Sequence, residues 1–94
     1  MKKQNESRTQ VRDAFLEAAD NQIREGNPPE TKQTLERLIA EGYSNEEARK
    51  LIAVVIGVEI SNMLRQQKPF NNTRFVAALN QLPDLPEDEK GNLG

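Results

Sequence analysis

The chain has 94 residues, with 13 Lys+Arg against 15 Asp+Glu and no His, Cys or Trp. Without Cys there is no disulfide frame, thiolate metal site or cysteine nucleophile; without His, the usual zinc sites and every Ser-His or Cys-His dyad are excluded. A formal net charge of −2 argues against a protein that simply coats nucleic acid.

Leu, Ile, Val and Phe together number 22, about 23% of the chain, just above the roughly 20% below which chains tend to stay unfolded. A single small core is expected, in one domain over residues 1–83. Such a core leaves a monomer marginal, and self-association would bury further apolar surface. Met1-Lys2-Lys3-Gln4-Asn5-Glu6 has no apolar stretch behind it, so no signal peptide is expected. The longest apolar run, Leu51 to Ile60, falls far short of the roughly 20 residues that a membrane span requires. The expected setting is cytoplasmic.

The first helical segment is predicted to start near Ser7, whose spacing to Gln10 suits a capping box. Val11, Phe15, Ala18, Ala19 and Ile23 then recur at helical spacing, and Gly26-Asn27-Pro28-Pro29 ends the segment. A second segment begins at Pro29. Its stripe is Thr31, Leu35, Leu38 and Ile39, and it closes near Gly42.

The third segment has the best start signal in the chain. Ser44-Asn45-Glu46-Glu47 reads as a capping box with two acids in the positive first turn. The helical pattern then runs to about Lys68, roughly 24 residues or about 36 Å, until Pro69. Val54, Val55, Ile56, Val58 and Ile60 are β-branched and could instead form a buried strand. Helix is preferred: the cap feeds directly into the run, and Met63-Leu64-Arg65-Gln66-Gln67 are good helix formers. Apolar residues cover all but a narrow side near Lys50, Gly57 and Ser61, the pattern of a central helix.

The fourth segment follows Asn71 as cap, with Phe70 and Phe75 at the positions of a hydrophobic staple, and stops at Leu82-Pro83. Residues 84–94 read as a disordered acidic tail. The expected fold is therefore all-α: a four-helix array or bundle with a long central third helix.

Two polar residues sit where apolar ones are expected. On a helical wheel Glu59 falls about 80° from Leu51, between Ala48 and Ile52. Gln22 falls about 20° from Val11, on the stripe of the first segment. Either these two bond each other or backbone across a helix pair, or Glu59 is a working carboxylate lining a site. Glu17, Asp20, Glu46, Glu47 and Glu59 could be imagined around two metal ions, but the usual di-metal bundle supplies His ligands that this chain lacks. Arg65, Lys68 and Arg74 surround Phe70, and Lys2, Lys3, Arg8 and Arg12 make a second basic group. An aromatic among cations can grip single-stranded nucleic acid, and equally can be a solvated helix end. Leu35 to Ala48 looks like the first hairpin of ubiquitin-associated domains, although the next helix here continues for six turns.

Asp20-Asn21-Gln22, a following proline, Leu35-Glu36-Arg37-Leu38, Gly42, Glu47-Ala48 and Ile52 resemble the pattern of a set of small bacterial helical domains of unknown function. The resemblance covers about 40 residues, from Asp20 to about Ile60. It implies a bacterial helical protein with no known activity. Two histidines of that family would fall at Glu46 and Lys50, so no metal or acid-base role resting on them carries over.

No glycine-rich phosphate loop or serine elbow is present, and no cofactor or metal is expected. The expected role is a non-enzymatic interaction or assembly module forming a homodimer, with Val54, Val58 and Ile60 as candidate interface residues. The alternatives are a nucleic-acid-binding accessory protein using Arg65, Lys68, Phe70 and Arg74, and an enzyme using helix carboxylates.

Overall fold

The computed structural model describes residues 2–86, with side chains from Gln10 onward. Among these residues there are four helices and no strand: α1 (Lys2–Glu25), α2 (Pro29–Ala40), α3 (Asn45–Gln66) and α4 (Asn72–Gln81). α3 is the hub. It packs against the other three helices, while α1 and α4 lie on it without meeting each other.

α3 forms as its start signal requires. Ser44 Oγ accepts the Glu47 N–H at 3.0 Å, and the Glu47 carboxylate accepts the Ser44 N–H at 2.9 Å. The helix runs unbroken through Gly57 to Gln66, and Gln67 closes it in the left-handed conformation (φ 55°) two residues before Pro69. Magnitudes explain why helix prevails over strand at the β-branched run. The helical penalty of each Val or Ile is a few tenths of a kcal/mol. Burying each of Ile52, Val55 and Ile56 stabilises by about 1.5–3 kcal/mol.

The core lies between α2, α3 and α4. Leu35, Leu38, Ile52, Val55, Ile56, Phe75, Leu79 and Leu82 are all buried in it, with Ala19 of α1 and Ala48 of α3 completing the cluster and Phe15, Ala18 and Ile23 of α1 packed against it. α4 is seated by two local devices. Asn71 Oδ1 accepts the Arg74 N–H at 2.9 Å as an N-cap. Phe70 meets Phe75 edge-to-face, with ring centroids 5.3 Å apart and planes at 65°, the expected staple.

Three local expectations are corrected. α1 begins at Lys2, so Ser7 and Gln10 lie inside the helix and not at its cap. No Gly or Pro interrupts the upstream stretch, and Lys, Gln and Glu there are good helix formers. Val11 is 53% exposed and Ile39 also faces outward. In α2 the buried positions are Thr31, Thr34, Leu35 and Leu38, one narrow stripe at spacings of three and four. Ile39 falls beside that stripe. Residues 87–94 of the expected acidic tail lie outside the described residues. Before them, Asp84 N–H donates to the Gln81 carbonyl at 2.9 Å and Leu85 is exposed.

Candidate functional site

Gln22 and Glu59 each find a partner, but not each other. Gln22 sits near the end of α1, and its Oε1 accepts the buried Thr31 hydroxyl of α2 at 2.8 Å. Thr31 Nα is itself bonded to the Pro28 carbonyl, so the contact staples the α1–α2 turn. Glu59 points from α3 toward α4. Its two carboxylate oxygens accept Arg74 Nε and Nη2, each at 2.9 Å, and Oε2 also accepts the Asn71 N–H at 3.2 Å. The Glu59 side chain is 4% exposed and that of Arg74 41%. A buried carboxylate thus meets a bidentate guanidinium that keeps one side in water. The pair holds the start of α4 onto α3. Among the described residues no buried side-chain polar atom lacks a partner, and no three carboxylates come together as a metal cluster.

This arrangement also bears on the candidate nucleic-acid residues. Arg74 is engaged with Glu59, and Phe70 is half-buried against Phe75. Arg65 donates to the Asn62 side chain one turn back, and Lys68 is exposed. The four residues share one end of the molecule, yet two of them are committed to holding α4. Of the second basic group, the side chains of Lys2, Lys3 and Arg8 lie outside the described residues, and Arg12 is found elsewhere, beside α3.

A concave feature of the surface lies on the opposite side of α3, where α1 crosses it. An open cleft of about 470 Å³ is lined by Arg12, Asp13, Phe15 and Leu16 of α1 and by Lys50, Ala53 and Val54 of α3. Its floor is mostly apolar and its rim carries both signs of charge. Val54 is 40% exposed there, and Val11, one turn before Phe15 on α1, is also exposed. Val58 is half-buried, one turn beyond Val54 on α3. Ile60 is placed differently from Val54 and Val58. It lies about 120° around the helix from Val54 and packs on the core, so the candidate interface trio does not share a face.

Two features position α1. A methyl group placed on Gly57 would lie 2.8 Å from Phe15 Cε2 and 2.9 Å from Cδ2, closer than carbon atoms tolerate. The absence of a side chain at 57 therefore lets the Phe15 ring rest against the α3 backbone. Farther along, Arg49 Nε and Nη2 donate to the two carboxylate oxygens of Asp20 at 2.7 and 3.0 Å. The hydrogen bonds that Arg49 donates to Asp20 hold its guanidinium pKa above the ordinary value, against a smaller opposing effect of burial. Lys50 pairs with Glu46 within its own helix at 3.4 Å.

The composition of this cleft escaped the pattern-based reading. Its signal was present in Gly57, the lone glycine within a β-branched helix, which marks a close approach by something bulky. Nothing in the pattern said that Phe15 was the approaching group. No family model, curated protein or solved structure matches the chain, and no helix among the described residues is long and apolar enough to cross a membrane.

Proposed function

We propose that this protein is a non-enzymatic interaction or assembly module, bacterial and cytoplasmic, that docks a protein partner on the α1/α3 cleft. The observation that carries the reading is the open cleft itself, in which Val54 stays 40% exposed while Ala53 and Val55 beside it are buried. Apolar residues gathered in a concavity with a polar rim have the composition of a docking surface. The chemistry available elsewhere points the same way. The buried carboxylate Glu59 is bound by Arg74 and the Asn71 N–H, in the manner of a structural tie.

Site-specific photo-crosslinking in the source cell tests the reading. A photoreactive phenylalanine analogue is placed at Val54 or, as control, at Glu36, exposed on α2. The expected result is a protein adduct from position 54 and none from position 36. No adduct at 54, or equal capture from both positions, would overturn the docking role of the cleft.

A further inference from the structure

The cleft's rim points to what it binds. Arg12 and Asp13 are consecutive on α1, both exposed, and neither forms an ion pair among the described residues. Lys50 and Glu46 add one charge of each sign along the facing edge of α3. A strongly basic or strongly acidic partner would meet like charge on half of this rim. A partner with the same alternation, turned through a two-fold axis, would meet opposite charge throughout. The floor obeys the same logic: Val54 is small, exposed and apolar, and across an axis it can cover the apolar lining of its counterpart's cleft.

We infer that the partner seated on the α1/α3 face is a second copy of this chain, in an isologous dimer that sets Arg12 of each protomer against Asp13 of the other. The inference rests on the docking reading above and names its occupant. The dimer encloses Val54 of each protomer, and its two Arg12–Asp13 pairs lie at the edge where they fix register.

The test uses charge reversal, because an isologous pairing makes a prediction that a generic apolar contact does not. Sedimentation equilibrium at tens of micromolar should show the wild type as a dimer. Arg12→Asp alone and Asp13→Arg alone should each weaken it at least about tenfold, since every rim pair becomes like-charged. An equimolar mixture of the two variants should dimerise as wild type does, because every rim pair between unlike protomers is then opposite in sign. Val54→Glu, at an exposed helical position that accepts Glu, should weaken the dimer about a hundredfold while the helical circular dichroism stays unchanged. A monomeric wild type overturns the inference, and so does a mixture no tighter than its components. In either case, a crosslink from position 54 to a different protein would leave the docking reading standing.

Discussion

The two sides of α3 are built on opposite plans. On the α4 side, a buried carboxylate, a bidentate arginine, an N-cap and an aromatic pair converge within a few residues. Large side chains on that side are almost wholly enclosed. On the α1 side, Ala19 is buried in the core, and beside it stand one glycine-deep contact, one ion pair about a third exposed, and an open cleft. The first side spends its polar groups on fixing a neighbour. The second leaves apolar surface and charges unfilled. The difference teaches that one helix can be a structural post on one face and leave an open apolar cleft on the other, and that exposure and pairing, more than composition, tell the two apart.

The largest expected effect tests the closed side. Arg74→Met leaves the Glu59 carboxylate buried with the Asn71 N–H as its remaining described donor. Removing one member of a buried pair typically destabilises by about 3–5 kcal/mol. Because the Arg74 side chain is 41% exposed, about 2–3 kcal/mol is expected, measured by urea denaturation. Adding Glu59→Leu to that variant should recover most of the loss, since the stranded charge is then gone. If Glu59→Leu with Arg74→Met is no better than Arg74→Met alone, the carboxylate is not what the arginine stabilises.

The closed side was largely legible in the sequence, and the open side largely was not. Ser44-Asn45-Glu46-Glu47, Asn71 and the Phe70/Phe75 spacing are local signals, and each formed the structure its chemistry implies. The wheel also put Glu59 on the buried face, where it lies. Its partner was beyond reach, because Arg74 is fifteen residues away in the chain and the wheel describes one helix at a time. The same limit explains why a Gln22–Glu59 bond stood among the alternatives, where Thr31 is the partner of Gln22. It also explains the grouping of Ile60 with Val54. Which side of an all-round apolar helix stays open depends on where its neighbours cross, and amphipathic pattern cannot supply that. Val11 failed for a related reason: it continues the periodicity of α1, yet it is left 53% exposed.

A smaller effect probes how α1 is seated. Alanine is normally better than glycine inside a helix by about 1 kcal/mol. At Gly57 the added methyl would strike the Phe15 ring, and Gly57→Ala should instead destabilise by about 1–2 kcal/mol. In a Phe15→Ala background the obstruction is gone, and the same substitution should stabilise by up to about 1 kcal/mol. The reversal of sign is the diagnostic, read from a double-mutant cycle of thermal or urea stabilities. Additive effects would mean that Phe15 is not held against the α3 backbone and that the open side is looser than the contact implies.

The smallest effect concerns the Asp20–Arg49 tie, the open side's counterpart of Glu59–Arg74. Both are bidentate, with similar distances. They differ in solvent: both members of the α1 pair are about a third exposed, whereas Glu59 is enclosed. Asp20→Asn should therefore cost under about 1 kcal/mol, and added salt should erase most of that cost. The raised Arg49 pKa gives the sign with pH. A cation bound more tightly in the folded state contributes below its unfolded pKa and loses that contribution only as pH rises through the still higher folded value. The guanidinium therefore supplies no alkaline transition within any range the fold is expected to survive, and its contribution should answer to ionic strength and not to alkali. A loss for Asp20→Asn as large as that for Arg74→Met would mean that the two sides of α3 are held alike, and the contrast between closed and open side would fall with it.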